Sequence, residues 1–267
     1  LDRDGGAVAI DPIDSRIVYA ESERLSFVKS TDGGKTFTPA IAGIDGGSFP
    51  YIASFALDPG DPQRLWLGGD ALWTSDDGAA HWRRASSAVG GNALDLVSAV
   101  AVSPHDGRHV LAGTSQGLIV RNDAAFSASA GTLWPAVRPR DGFVSSLVFD
   151  PQDPAVVYAT YATFGGAHVW QSRDGGTTWQ SLDGTSGVSA TALPDLPVHS
   201  LVIDPRHPQR LYVGTDLGVF VSLDGGATWA VENSGFANVV TESLVVSPPF
   251  LFAFTHGRGA WRARLPD

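Results

Sequence analysis

The chain has 267 residues, of which 43% are hydrophobic and 17% are charged, and its formal net charge is −10. This composition excludes an intrinsically disordered chain, and the acidic balance disfavours nucleic acid as a partner. Cysteine is absent, which excludes disulfides and thiol catalysis, and no apolar run reaches the roughly 20 residues of a membrane-spanning helix. We therefore expect no membrane insertion.

An internal repeat runs through the chain. An apolar stretch that ends in Asp-Pro or Ser-Pro recurs at Asp11, Asp58, Ser103, Asp150, Asp204 and Ser247. Each copy is followed by a short polar turn, a second apolar run, a loop and a third run. The copies are about 43 to 54 residues apart, which is the length of one β-propeller blade.

In five units the third run ends in the same kind of turn, which we call the box turn. Complete copies read Ser-x-Asp-Gly-Gly-x-Thr-aromatic and cover residues 30–37, 172–179 and 222–229. The copy at 75–82 lacks the second glycine, and the copy at 121–126 keeps little besides its aspartate and an aromatic residue.

The box turn has the chemistry of a tight β-turn. Its aspartate can accept backbone N–H bonds, its glycines adopt positive φ, and its aromatic residue can be buried between neighbouring elements. Because a feature repeated in every unit is usually scaffold, we predict structural roles rather than catalysis. The predicted structural residues are Ser30, Asp32, Phe37, Asp77, Trp82, Asp123, Asp174, Trp179, Asp224 and Trp229.

These patterns predict an all-β protein, a β-propeller of about six blades with box turns between the third and fourth strands. We predict a single domain over residues 1–267, with repeat units at about 6–50, 51–95, 96–142, 143–196, 197–240 and 241–267. The last unit lacks a fourth strand, so either it has three strands or a missing N-terminal segment closes the ring. Since methionine is absent even at position 1, we expect the chain to be part of something longer.

The box turns resemble the Asp-box repeat of bacterial neuraminidases (BNR repeat), and the resemblance covers nearly the whole chain. Residues 255–261 resemble the closing segment of sialidase-like bacterial Asp-box proteins. Propellers of this kind include sialidases, xyloglucanase-type glycosidases and sortilin-type receptors, so the resemblance implies the fold and leaves the activity open. The Arg-Ile-Pro signature of sialidases is absent. Xyloglucanase-type enzymes place two carboxylates between a pair of propellers, and one propeller would supply half of such a site.

The variable loops of a propeller lie at one end of its sheets, and binding residues are usually found there. Aligning the first strands of the units places His199 and Glu242 at one position in successive units. His199 could act as a base with Glu242 as its orienting partner, or the two could form a hydrated pair without chemistry. Asp216, His256 and Arg258 extend this set into a polar cluster able to bind a sugar, a carboxylate or a peptide.

Several aromatic residues fall in irregular segments. Tyr161 and Phe164 in the long loop 161–168, together with Trp134, either stack on sugar rings or pack their own segments onto the blade. Four aromatic residues share one position in the third strand and are predicted to lie in the core between blades: Trp73, Trp170, Phe220 and Trp261.

Two functions remain open at this point. The first is a non-catalytic binding propeller of a larger bacterial protein, extracellular or periplasmic, with an oligosaccharide or protein ligand at the variable-loop face. The alternative is a sialidase-like or xyloglucanase-like glycoside hydrolase with part of its active site outside this chain. No cofactor is predicted. The seven histidines are scattered without metal-ligand spacing, although calcium on loop carboxylates stays open.

Overall fold

The computed structural model describes residues 5–183, 191–232 and 235–266, and these residues form 23 β-strands and one turn of 3-10 helix, Ala125–Ser127. The strands make six antiparallel sheets, and within each sheet they pair in chain order. This is the predicted all-β fold, a six-bladed β-propeller. Across the described residues, no helix is long and apolar enough to span a membrane.

The chain divides into two compact units, residues 1–138 (unit 1) and 139–267 (unit 2). The first sheet of unit 1 has strands β1 (Gly5–Ile10), β2 (Val18–Ser22), β3 (Ser26–Ser30) and β4 (Thr38–Pro39). The second has strands β5 (Phe55–Asp58), β6 (Asp61–Gly68), β7 (Leu72–Ser75) and β8 (Arg83–Arg84). The third has strands β9 (Val97–Val102), β10 (Val110–Thr114), β11 (Ile119–Asn122) and β12 (Ala136–Val137).

Unit 2 contains the other three sheets. The fourth sheet has strands β13 (Val144–Phe149), β14 (Val157–Tyr161), β15 (Val169–Ser172) and β16 (Gln180–Ser181). The fifth has strands β17 (Val198–Asp204), β18 (His207–Thr215), β19 (Gly218–Ser222) and β20 (Ala230–Val231). The sixth has three strands in the described residues, β21 (Thr241–Ser247), β22 (Phe250–Thr255) and β23 (Gly259–Arg264). The prediction of one domain over the whole chain stays a prediction.

The second strand of each sheet forms the apolar centre of its blade. Every residue of β10 and of β14 is buried, as expected when both faces of a sheet are covered by neighbouring sheets. The side chains there are apolar or small, such as Leu111 and Ala112. A run with little alternation between apolar and polar residues is therefore still a strand, because both of its faces lie in the core.

Tryptophans join three of the six sheets to the sheet before them in the chain. In unit 1, Trp82 is 3% exposed and its indole Nε1 donates to the carbonyl of Ala40, 2.8 Å away. Trp134 donates in the same way to Ala85 at 3.1 Å. In unit 2, Trp229 donates to Leu182 at 2.8 Å. Each indole therefore buries a large apolar face while its one polar atom is satisfied.

The aromatic predictions have mixed outcomes. Trp73 and Phe220 are buried as predicted, at 3% and 6% exposure, whereas Trp261 is 36% exposed and the core prediction for it is wrong. Trp170 is half-buried. Trp134 packs against Trp66 with ring centroids 5.8 Å apart. It therefore belongs to the core of unit 1 and does not present a face for stacking on a ligand.

The three complete box turns share one hydrogen-bond pattern, which the turn at 172–179 illustrates. Ser172 Oγ donates to Asp174 Oδ1 at 2.8 Å and accepts from the backbone N–H of Gly176 at 2.8 Å. Asp174 Oδ1 also accepts from the backbone N–H of Thr178, and Oδ2 accepts from its hydroxyl at 2.7 Å. The hydrogen bonds from Thr178 lower the pKa of Asp174 to about 2. The carboxylate therefore closes the turn in its ionised form.

Asp174→Ala should destabilise the protein by about 1–2 kcal/mol, because four hydrogen bonds of one exposed turn are lost. The pKa of Asp174 is lowered in the folded state, so its stabilising effect is present above its ordinary value of 3.8 and is lost as the pH falls toward about 2. Urea unfolding at pH 7 measures the change. The control is Asp123→Ala, whose carboxylate lies 3.4 Å from His109 Nε2 and 3.5 Å from Arg121 Nη1. Equal losses for both variants would contradict the structural role.

Glu21 is a buried carboxyl group in β2. It occupies the position held by Gly68 and Gly214 in other sheets, where an added Cβ would lie 2.4 and 2.6 Å from the next sheet. The side chain is 1% exposed, and neither oxygen has an aligned hydrogen-bond partner within the described ranges. Burial raises its pKa to about 7, against a smaller lowering by the backbone N–H of Ala53. Glu21 is therefore close to neutral in charge under mildly acidic conditions.

Glu21→Gln should stabilise the protein at pH 8 and leave its stability unchanged at pH 4. Because the folded-state pKa of Glu21 is raised from 4.5 to about 7, the unfolded chain releases the proton first and the wild type loses stability as the pH rises through that range. The difference should reach at most roughly 3 kcal/mol. Melting temperatures of both proteins across the pH range test this. A difference of the same size at pH 4 and pH 8 would show that the carboxyl proton is not the cause.

Candidate functional site

The loop between the second and third strands of a sheet is here called the B–C loop, and in three of the six sheets it contains an acidic residue at one repeated position. Ala20, Leu67 and Val213 hold the same position in the second strand of their sheets. Each pairs with the first-strand residue that lies three positions before the aspartate of the Asp-Pro turn. Three residues after each of them, the chain has Glu23, Asp70 and Asp216. In their own sheets these carboxylates lie at the end opposite the Asp-Pro turn.

In unit 2, the fifth and sixth sheets bring four of the predicted site residues together. The Nε2 atom of His199, on β17, lies 2.7 Å from Asp216 Oδ1. Its Nδ1 atom lies 3.9 Å from Glu242 Oε2, on β21. The other oxygen of Glu242 lies 3.8 Å from Nδ1 of His256. We call these four residues the His199 cluster.

The geometry changes one predicted role. The hydrogen-bonded partner of His199 is Asp216 and not Glu242, because only Asp216 is within hydrogen-bond distance. The orienting role therefore belongs to Asp216. The Glu242 side chain is 51% exposed and lies between two imidazoles, so its carboxylate is open to a ligand. Arg258 is exposed in the loop that also holds His256.

The arrangement can bind hydroxyl groups and can move a proton. A carboxylate that accepts from one imidazole nitrogen fixes the ring and its tautomer, and the other nitrogen is then available to a neighbour. Here Asp216 fixes His199, and the second nitrogen faces Glu242. Exposed carboxylate and imidazole groups are suitable partners for sugar hydroxyls.

The long B–C loop at 161–168 has a rigid backbone and one exposed aromatic side chain. Tyr161 is fully buried, so the prediction that it contacts a ligand is wrong. Phe164 is 63% exposed, and Phe143, at the start of the same sheet, is 42% exposed. Arg140 donates to the carbonyls of the loop residues Ala167, Thr163 and Phe164 at 2.8, 3.3 and 3.4 Å.

His168 ends this loop between two carboxylates. It is 1% exposed, with Nδ1 at 3.0 Å from Asp183 Oδ2 and Nε2 at 3.2 Å from Asp195 Oδ1. Asp195 Oδ1 also accepts the backbone N–H of Gly165 at 2.8 Å. The loop that presents Phe164 is therefore anchored at both ends by polar contacts.

In residues 5–183, 191–232 and 235–266, no group of three or more His, Asp or Glu side chains is arranged to hold a metal ion. The two imidazoles and two carboxylates of the His199 cluster pair with one another instead.

No family model matches the chain. It is 26% identical over 242 residues to a xyloglucanase of Hypocrea jecorina, which covers 85% of this chain and 25% of that protein. It is 29% identical over 272 residues to an oligoxyloglucan-reducing end-specific xyloglucanase of Emericella nidulans, which covers 84% of this chain and 33% of that protein. The chain thus spans between a quarter and a third of the length of these relatives.

Solved structures agree on the fold. A crystal structure of an ancestral GH74 enzyme superposes with a TM-score of 0.73 over 97% of this chain and 36% of that chain, at 17% identity. A GH74 enzyme from Niastella koreensis superposes with a TM-score of 0.63 over 85% of this chain and 38% of that chain, at 21% identity. The curated relatives are xyloglucanases and the structural neighbours are GH74 β-propellers, whereas the sialidase-like and sortilin-like resemblances stay predictions.

Glu23, Asp70 and Phe143 were not among the predicted site residues. The first two were detectable from the sequence, because Glu23, Asp70 and Asp216 each lie 12 residues after the aspartate of an Asp-Pro pair. Phe143 was missed because it is distant in sequence from loop 161–168. The structure pairs it with that loop through the N–H of Ala162, which donates to the Phe143 carbonyl at 3.0 Å.

Arg140→Ala should loosen loop 161–168 and leave the rest of unit 2 unchanged. Because three loop carbonyls lose a charged donor, amide protection in the loop should fall roughly tenfold. Hydrogen–deuterium exchange of peptides that cover the loop measures this. Arg173→Ala is the control, since that guanidinium bonds the side chain of Gln171 at 2.9 Å and not the loop. Unchanged exchange in Arg140→Ala would mean that other contacts hold the loop.

Proposed function

We propose that this chain acts in a xyloglucan-directed glycoside hydrolase and that the His199 cluster contacts the sugar. The observation that carries the proposal is the convergence of His199, Asp216, Glu242 and His256 at the loop end of two adjacent sheets. Xyloglucan is the proposed polymer because relatives of this chain are named as xyloglucanases, and their matches cover 84% and 85% of this chain.

The roles follow from exposure and pairing. Glu242 is the most exposed carboxylate of the cluster and is the candidate for an acid or base that reaches a glycosidic oxygen or a water. His199, fixed by Asp216 at 2.7 Å, is positioned to exchange a proton with it or to donate to a sugar hydroxyl. Glycoside hydrolysis uses two carboxyl groups on either side of the bond. We propose that the second belongs to a part of the enzyme outside this chain.

Membership of the Asp-box superfamily and an extracellular or periplasmic location are part of the same proposal. The box turns with their shared hydrogen bonds support the first. The second is supported by the proposed substrate, because a plant cell-wall polysaccharide is met outside a cell. Other domains of the parent protein are the expected partners, together with the oligosaccharide.

Glu242→Gln should weaken binding of xyloglucan oligosaccharides by at least about tenfold, because a charged acceptor for sugar hydroxyls is lost. Isothermal titration calorimetry on the purified chain measures the dissociation constant, and release of reducing ends tests for hydrolysis. Binding without hydrolysis is the expected result for this chain alone, because the proposed second carboxyl group lies outside it, whereas hydrolysis by this chain alone would contradict that assignment.

The matched control is Asp153→Asn. Asp153 is exposed at the other end of the fourth sheet, where its Oδ1 accepts the N–H of Ala155 at 2.9 Å, a bond that asparagine can keep. Its affinity should equal that of the wild type. Absence of binding by the wild type, or equal losses in the two variants, would rule out the His199 cluster as the sugar site.

A further inference from the structure

The imidazole of His168, at the end of loop 161–168 in unit 2, is buried between two carboxylates. Its Nδ1 atom faces Asp183 at 3.0 Å, and its Nε2 atom faces Asp195 at 3.2 Å. A neutral imidazole has one N–H group and one lone pair, whereas an imidazolium has two N–H groups. Only the charged ring can therefore attract both carboxylates at once.

The surroundings of Asp183 favour that charged ring. Asp183 is 4% exposed, and its carboxylate accepts the backbone N–H groups of His168 and Val169 at 2.6 and 2.7 Å. A buried charge is normally paired with an opposite one. In the part of the chain that the structure describes, no lysine or arginine forms an ion pair with Asp183, so its cationic partner is His168.

The contact of Nε2 with Asp195 connects the ring to the tip of the loop. Asp195 Oδ1 also accepts the backbone N–H of Gly165, the residue after Phe164, at 2.8 Å. Between His168 and Asp195 there is an ion pair without an aligned hydrogen bond, so the attraction exists only while the ring is charged. After loss of the Nε2 proton, a lone pair faces the carboxylate oxygen and the two groups repel each other.

Other groups near the ring keep their charge in the range where an imidazole changes its own. Arg140 donates to the carbonyl of Ala167, next to His168, and the backbone N–H of Tyr161 donates to the His168 carbonyl. Carboxylates, guanidinium groups and phenols ordinarily keep one charge state between pH 5 and 8, whereas an imidazole changes charge there. A change of the loop within this range therefore points to His168.

We propose that His168 is a pH-sensitive clamp on loop 161–168. In acid, the charged ring holds Asp183 through Nδ1 and Asp195 through Nε2, and Asp195 holds the N–H of Gly165. As the pH rises, Nε2 releases its proton to solvent, Asp195 moves away from the ring, and the loop that presents Phe164 loosens. Asp183 keeps its bonds to the backbone and to Nδ1, so the end of the loop at His168 stays in place.

The test is a titration of the ¹⁵N-labelled chain from pH 5 to pH 8, followed by NMR. The amide signal of Gly165 and the ring signals of His168 should move in one step with a shared midpoint. Solvent exchange of the Gly165 amide, corrected for the intrinsic effect of pH, should rise about tenfold from pH 5 to pH 8. The amide of Gly176, held by Ser172 Oγ at 2.8 Å, is the internal control and should show no such rise.

Two variants separate His168 from other titrating groups. His168→Gln removes the ring and should abolish the Gly165 step. His81→Gln is the matched control, because His81 also lies 3.0 Å from an aspartate, Asp77, but is exposed and belongs to unit 1. The Gly165 step should be unchanged in that variant.

A Gly165 signal that stays constant while the His168 ring titrates overturns the clamp, and so does a Gly165 step that persists in His168→Gln. A ring that keeps one charge state from pH 5 to pH 8 overturns it as well. If His168→Gln does not fold, Asp195→Asn decides, since it should abolish the Gly165 step while the ring still titrates. None of these results involves a sugar, so the clamp and the proposed function are tested separately.

Discussion

The packing of a tryptophan against the backbone of the preceding sheet is the interaction on which the burial of the sheet faces depends. Trp82 and Trp134 in unit 1, and Trp229 in unit 2, each insert an indole beside the sheet before them and donate the N–H to a carbonyl there. The large apolar faces exclude water between sheets, and the single hydrogen bond fixes the orientation of the ring. Where neighbouring sheets cover both faces in this way, the later part of the second strand is buried and largely apolar, as it is in residues 65–68 of β6 and 211–215 of β18.

Because the sheets repeat one pattern, a residue that differs from its equivalents in the other sheets is informative. Glycine is found one residue after Leu67 and after Val213 because the next sheet approaches to within van der Waals distance. The equivalent residue in the first sheet is Glu21, whose carboxyl group is buried with a raised pKa. Such a residue does not improve stability, since burying a carboxyl group without a hydrogen-bond partner costs free energy. The same comparison of equivalent positions identifies the acidic residues of the B–C loops.

The sequence was sufficient for the fold because the repeat supplies the same information six times. The Asp-Pro turns, the box turns and the apolar runs agree with one another, and each strand that they predict is observed. Exposure could not be predicted equally well, because it depends on what lies opposite a side chain. Tyr161 and Phe164 are three residues apart in one loop, yet Arg140 covers the first and the second is exposed.

The hydrogen-bond partner of His199 could also be identified only from the structure. Alignment of first strands placed His199 beside Glu242, and the alignment was right about their proximity, at 3.9 Å. It could not show that the loop after β18 turns Asp216 to within 2.7 Å, because the path of a loop is not encoded in strand periodicity.

The three acidic B–C loop residues differ in what they contact, and this difference separates acid–base chemistry from binding. Glu23 accepts from the Tyr51 hydroxyl, Asp70 pairs with Arg84, and Asp216 pairs with His199. A guanidinium keeps its proton at any physiological pH, and so does a phenol under ordinary conditions, whereas an imidazole can release one. Only Asp216 therefore contacts a group that can carry a proton toward a reacting bond, and only there is a further exposed carboxylate, Glu242, found within 4 Å of the same imidazole. Under the proposed function, the step that moves a proton therefore belongs to the His199 cluster of unit 2 and not to Glu23 or Asp70 of unit 1.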